Sequence, residues 1–279
     1  MLNLLLAIAS SALVSVTMRL SGAKVRNTLA MLMVNYMMCA ALAWAVTGFA
    51  NPCPAVPGMA LTAGLSAVNG VLYLAGFLLL QYNIRRNGVV LSSTFIKLGL
   101  LVSMVVSVVF FGERPGVQQW LGFGLAVAAI VLMNFRPGEG KAGSAVFLLL
   151  LLLAGGGGDA MSKVFEELGE PSLSGQFLLG TFCVAGILCA AMTCLRKTGG
   201  LGKWEVLYGL LIGIPNFFSA KFLLGALEDL AAVIVYPVYS VATILTVTLA
   251  GVLLFREKLE KRQWIALSII LLALVLLNV

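Results

Sequence analysis

The chain reads as a series of apolar runs of about 20 residues separated by short polar breaks. That is the length a helix needs to cross about 30 Å of hydrocarbon at about 1.5 Å per residue. The runs predict helices over 2–20, 28–49, 58–82, 87–111, 116–135, 144–168, 173–195, 204–227, 231–255 and 262–278. The breaks carry loop chemistry. Asn51-Pro52-Cys53-Pro54 and Pro57-Gly58 separate the second and third runs, Pro137-Gly138-Glu139-Gly140 the fifth and sixth, and Gly199, Gly200 and Gly202 the seventh and eighth. No stretch between runs is long enough for a soluble domain. The pattern predicts an all-α integral membrane protein of ten transmembrane helices.

The Pro/Gly break falls at the midpoint and divides the chain into two parts, residues 1–140 and 141–279. They match internally. Phe111-Gly112-Glu113-Arg114 with Gln119-Trp120 corresponds to Phe255-Arg256-Glu257-Lys258 with Gln263-Trp264, 144 positions further on. Asn134 and Asn278, Ser15 and Asp159, and Arg19 and Lys163 keep the same offset of 144. Asn69 and Asn216 fall in the third helix of each half at an offset of 147, which needs a small insertion. Each half has five helices, an odd number, so the second copy must lie upside down relative to the first. Inverted repeats of this kind form an architecture in which a central site near the bilayer midplane is opened alternately to either side.

Composition agrees with the hydrophobic pattern. Apolar residues make up 61% of the chain and charged residues 10%, against about 25% charged in a soluble domain. A water-facing surface cannot be covered at that density, so lipid is the solvent for most side chains. The chain has no histidine, which removes the commonest metal ligand and proton shuttle. The five cysteines include no CxxC, and only Cys53 lies outside the apolar runs, so no structural disulfide is expected. No cofactor or metal site is expected. No charged leader with a small-residue cleavage site precedes the first run, so the first helix is expected to be retained.

Two five-helix halves, each ending in a Glu turn, Gln-Trp and a last apolar helix, resemble the EamA-like branch of the drug/metabolite transporter superfamily. The carrying residues are Phe110-Phe111-Gly112-Glu113-Arg114 and Leu254-Phe255-Arg256-Glu257-Lys258, with Pro237 before the second set. The resemblance covers the whole chain and implies a basket of helices around a central cavity, with no covalent chemistry. It implies transport of solutes such as amino acids, amines, nucleotide sugars, phosphorylated sugars or drugs, and leaves the substrate open.

The net charge of +7 is distributed by topology. Thirteen lysines and arginines fall in loops after odd-numbered helices, among them Lys24, Arg26, Arg85, Arg86 and Lys203, whereas Arg114 alone follows an even one. Loops after even helices carry acids, including Glu113, Glu166, Glu167 and Asp229. Basic residues accumulate on the cytoplasmic side, which places both termini outside in a plasma membrane. The family resemblance implies both termini inside; the bias runs through every loop, so the charge reading is preferred. The basic residues are thereby explained without a nucleic acid partner.

A charge at the bilayer centre costs roughly 2.5–3.5 kcal/mol on insertion scales, so buried charges call for an account. Lys97 lies near the centre of the fourth run, with Ser93 and Thr94 one turn earlier. It is either a cavity cation for an anionic substrate group or an internal counter-ion. Lys221, two-thirds along the eighth run, is a second cavity cation or snorkels to the interface. Asp159 follows Gly155-Gly156-Gly157-Gly158. Either the helix breaks there and Asp159 caps the restart, forming a proton- or substrate-coupling site, or the glycines permit close packing and Asp159 pairs with Lys163. Burial would raise a carboxyl at Asp159 toward neutral pH, which suits proton coupling. Asn69 with Tyr73, Asn216, Tyr236 with Tyr239, and Tyr36 beside Asn35 are the remaining candidate substrate residues. Midplane amides equally serve to hold helices together, and single aromatics to pack. Pro237 could kink the ninth helix. Glu113 and Glu257 are expected to be structural, holding the turn before the next helix.

These residues favour a secondary transporter for a small anionic or zwitterionic metabolite, acting as monomer or homodimer with protons as a candidate coupling ion. An exporter of cationic or aromatic compounds would use Asp159 and the tyrosines. A membrane enzyme or lipid-carrier subunit finds no nucleophile–base pair or metal-ligand spacing in its support. No phosphate-loop sequence is present to couple transport to ATP.

Overall fold

A computed structural model describes residues 1–22, 24–49, 51–87, 95–96, 98–134, 145–196, 200–255 and 261–277. Among these residues every regular element is helical. The α-helices are α1 (Leu2–Ser21), α2 (Thr28–Val46), α3 (Met59–Asn87), α4 (Leu100–Phe110), α5 (Val117–Asn134), α6 (Ala145–Leu168), α7 (Ser174–Arg196), α8 (Lys203–Asp229), α9 (Ala232–Phe255) and α10 (Lys261–Leu277). A short 3-10 turn at Pro171–Leu173 leads into α7. Seven of them, α1, α2, α3, α6, α7, α8 and α9, are long and apolar enough to cross a membrane; α4, α5 and α10 are shorter apolar helices. The protein is an all-helical, multi-pass membrane protein.

Several helix ends differ from the run lengths for local reasons. α2 stops at Val46 rather than 49, because Gly48 (φ 67°) and Phe49 (φ 59°) turn the backbone left-handed. Its start is fixed by Asn27, whose side chain accepts a hydrogen bond from the Ala30 N–H at 3.2 Å. α3 continues to Asn87, past the expected end at 82. Much of the expected start of the fourth helix, with Ser93, Thr94 and Lys97, lies outside the described residues, as do Glu257 and Asn278.

α6 decides between the two readings of its glycines. It runs unbroken from Ala145 to Leu168, through Gly155–Gly158. The glycines serve packing. A Cβ on Gly156 would run into the carbonyl of Gly99, the N-cap of α4, and a Cβ on Gly155 would press on Ile96 at 3.0 Å. Backbone lies on backbone there, which only glycine allows. Ser103 of α4 donates to the Gly156 carbonyl at 3.1 Å. α9 likewise continues through Pro237 to Phe255.

The helices collect into two compact units. One comprises Met1–Leu74 and Val164–Ala226, the other Ala75–Lys163 and Leu227–Val279. In the first unit, α2 packs along α7. Glycines set other close approaches in that unit. A Cβ on Gly70 of α3 would lie 2.7 Å from the Thr181 carbonyl, and one on Gly213 of α8 would lie 2.9 Å from the Asn35 carbonyl. In the second unit, α5 packs along α10 and α4 against α9. Its core is built from Leu100, Ala126, Ala129, Ile130, Val241, Ile244, Ala266 and Ile270. Small residues are mixed with branched ones there, so the helices lie close.

Candidate functional site

The first unit gathers amides and aromatic rings in its interior. Asn35 and Tyr36 of α2, Asn69 of α3, and Phe217 of α8 are all buried. Asn216 Nδ2 donates to Asn35 Oδ1 at 3.2 Å. Cys39, one turn along α2, donates its thiol to the Gly213 carbonyl at 3.2 Å. Phe182 of α7 is the hub of the rings. Tyr36 stacks beside it at 6.5 Å between centroids, Tyr73 meets it edge-on at 6.1 Å, and Phe217 at 6.4 Å. Asn69, 1% exposed, donates from Nδ2 to the Thr181 hydroxyl at 3.4 Å. Among the described residues its Oδ1 receives no hydrogen bond. Leaving a buried acceptor without a donor costs about 1–3 kcal/mol, so a complementary donor is called for at that point.

An apolar cavity of about 460 Å³ opens in the same unit between α2, the 52–59 segment, α3 and α7. Trp44, Met59, Leu179 and Val184 line it, and Ser66 and Gln176 supply its polar groups. The Ser66 hydroxyl is already engaged with the Thr62 and Phe177 carbonyls, at 2.7 and 3.0 Å. Ser66 stands one turn before Asn69 on α3, so the cavity abuts the turn that carries the orphan acceptor.

The second unit holds a charged cluster. Lys163 Nζ lies 3.2 Å from Glu113 Oε1. The same carboxylate accepts the Ala232 N–H on Oε1 and the Val233 N–H on Oε2, both at 2.9 Å. Glu113 therefore caps α9, which starts 119 residues later in sequence, rather than the helix that follows its own turn. A carboxylate at a helix N-terminus satisfies free N–H groups and faces the positive end of the dipole. One turn before Lys163, the Asp159 carbonyl accepts the Tyr236 hydroxyl at 2.7 Å. Tyr236 is buried, whereas Asp159 and Tyr239 are partly exposed.

The model of the EamA-like transporter family matches residues 1–135 and 142–279. The chain belongs to the EamA-like transporter family. Membership implies a membrane transporter of small molecules. An uncharacterized protein of Haemophilus influenzae is 23% identical over 204 residues, spanning 71% of this chain and 69% of that protein. A solved crystal structure, 15% identical, superposes with a TM-score of 0.75 over 99% of this chain and 94% of its own, which is a likeness of fold.

Within this EamA-like chain, the structure brings together two groups of the residues singled out from sequence. Tyr36, Asn69, Tyr73 and Asn216 share the first unit, three of them with a ring or amide contact to a neighbouring candidate or to Phe182. Asp159 and Tyr236 share the second unit and a hydrogen bond. Lys221 is partly exposed on α8. Sequence reasoning passed over Phe182, Thr181 and Cys39. Phe182 is one of 15 phenylalanines, and a ring in an apolar run carries no polarity signal. Spacing does pair Cys39 with Asn35 on one face of α2, four residues apart.

Proposed function

We propose that this EamA-like protein is a secondary active transporter of a small anionic or zwitterionic metabolite, such as an amino acid or another organic acid, working by alternating access in the plasma membrane. Its ten runs would form ten spans in two inverted five-helix repeats, residues 1–140 and 141–279. The packing supports that reading: α2 lies on α7, α4 on α9 and α5 on α10, and each pair holds the same place in its half of the chain. A pseudo-twofold relation between inverted copies produces such pairings.

The observation that carries the reading is the orphan Asn69 Oδ1 among the amides and rings of membrane-length helices. A substrate N–H, or a water it displaces, supplies the missing donor. Lys97 supplies the cation for a carboxylate or phosphate, with Ser93 beside it on the fourth run and no acid within two turns. Lys221, Tyr73, Asn216, Tyr36, Tyr236 and Tyr239 complete the candidate set. The ring group around Phe182 supports the alternative of cationic or aromatic cargo, and one variant separates the two. Lys97→Gln keeps length and a donor and removes the charge. It should weaken binding of an anionic ligand found by thermal-shift screening by roughly 10- to 150-fold, the loss of a charge-assisted bond of about 1.5–3 kcal/mol. The unliganded melting temperature should hold. Unchanged affinity would sink the anion reading. A lowered melting temperature restored by adding Asp159→Asn would make Lys97 an internal counter-ion.

Asp159 is the acid we assign to proton coupling. Asp159→Asn should abolish accumulation against a gradient in proteoliposomes while substrate exchange continues. Retained uphill transport by the variant removes Asp159 from that role.

A further inference from the structure

A second cavity lies at one end of the first unit, away from the amide–aromatic cluster. α1 ends at Ser21, where the Lys24 and Val25 N–H groups both return to the Ser21 carbonyl at 2.9 Å. The turn then folds over the start of α8. Glu205 Oε1 accepts the Arg26 N–H at 2.9 Å and the Asn27 N–H at 3.2 Å, which ties the turn down. Between turn and helix is a cavity of about 470 Å³ lined by Lys24, Val25, Arg26, Gly202, Lys203, Trp204 and Glu205.

Its charge is one-sided. Lys24, Arg26 and Lys203 are exposed, while Glu205, the single acid of the lining, is buried with its oxygen turned to the two backbone N–H groups. Two ammonium groups are held around one indole: Lys24 Nζ lies 4.3 Å from the Trp204 ring centroid and Lys203 Nζ 5.4 Å. Cation–π attraction holds each in place, but the two repel each other. An anion that accepts from both relieves that repulsion. At about 30 Å³ per water, the volume admits a phosphate group with part of its hydration.

We infer that this cavity binds a phosphate group, and that the phosphate is the headgroup of an anionic membrane lipid. Three features choose lipid over a soluble phosphate. α1, α2 and α8 are membrane-length helices, and Lys24, Arg26, Lys203 and Trp204 sit at their ends, the level at which headgroups meet a spanning helix. Trp204 stands beside Tyr208, 6.2 Å between centroids, as aromatic anchors do at the interface. Below the cavity, Val206, Leu207, Leu210 and Leu211 form an exposed apolar face one helical turn after another along α8, a path for an acyl chain. The site is independent of the transported substrate.

Native mass spectrometry of the detergent-purified full chain tests this, with phosphatidylglycerol and phosphatidylcholine added in turn. The wild type should retain phosphatidylglycerol over phosphatidylcholine. Lys24→Gln with Lys203→Gln should weaken retention about 30-fold, at about 1 kcal/mol for each basic residue near the headgroups. Lys24→Arg with Lys203→Arg should bind as the wild type does, and so should Arg114→Gln, which removes an exposed charge elsewhere. The melting temperature of the Gln pair should stay at the wild-type value, because both side chains are exposed. Millimolar inorganic phosphate should not displace the lipid; if it does so readily, the phosphate is soluble and the lipid assignment falls. Equal retention by the Gln pair and the wild type, or equal loss in Arg114→Gln, overturns the site altogether.

Discussion

Replacing Lys163 by Met should destabilise the protein by about 3–5 kcal/mol, the usual consequence of removing one partner from a buried ion pair. The side chains of Lys163 and Glu113 are 5% and 13% exposed and 3.2 Å apart. Lys163 also lies 6.0 Å from the Phe111 ring centroid, in low-dielectric surroundings. The two single substitutions are not equivalent. Lys163→Met leaves a carboxylate still held by two N–H groups at the positive end of α9. Glu113→Ala takes the Glu113 carboxylate away from a buried ammonium and removes the cap of α9, about 1 kcal/mol more. Glu113→Ala should therefore be the worse of the two. Glu113→Gln keeps one acceptor for the helix end and isolates the charge effect. The double variant Lys163→Met/Glu113→Gln buries neither charge alone, so it should be more stable than the sum of the singles implies, by at least about 2 kcal/mol. Unfolding in detergent, followed for all four proteins, closes the cycle. Additive single effects would mean that the carboxylate and the ammonium stabilise the fold separately.

That pair also marks where sequence stops being informative. A membrane-spanning helical protein is legible from run length alone, because the bilayer fixes how many apolar residues a helix needs. The Glu113 turn is equally visible, and a structural role follows from a carboxylate next to a helix boundary. Its partner is not visible. The helix it caps begins 119 residues downstream, and nothing in local spacing selects α9 over the helix that follows at Val117. The same limit applies inside the first unit. Polar residues in apolar runs draw attention to Asn69, Asn216 and Tyr36, since an amide in hydrocarbon must find a partner. Phe182, which joins the rings, looks like any other apolar residue. The ends of α2 illustrate both cases. Asn27 announces a cap by its side chain and Gly48 a stop after Val46, whereas the positive φ of Phe49 beside it is a conformation its side chain does not advertise.

The four glycines of α6 were ambiguous for a different reason: low helix propensity and close packing demand the same residue. Substitution separates the two, because they predict opposite signs. If the glycines marked a helix break, Gly156→Ala would restore propensity and stabilise by up to about 1 kcal/mol. The contact geometry predicts the reverse. A Cβ on Gly156 meets the Gly99 carbonyl, and a Cβ on Gly99 would lie 2.7 Å from the Gly156 nitrogen. Both obstacles are backbone atoms, and Ser103 ties the two helices across the same point at 3.1 Å, so neither chain can give way by rotating a side chain. Overpacking usually costs about 1–3 kcal/mol. With backbone against backbone, Gly156→Ala should fall at or beyond the upper end, about 3 kcal/mol, and Gly156→Val should abolish accumulation of folded protein. Gly64→Ala is the matched control. Gly64 lies inside α3, with nothing among the described residues within 4 Å of its added Cβ, so the change there should be neutral or slightly stabilising. Helix propensity contributes alike at both positions, and the difference between them isolates the α4–α6 contact. A Gly156→Ala protein that melts at or above the wild-type temperature would mean that α4 and α6 do not meet at their backbones.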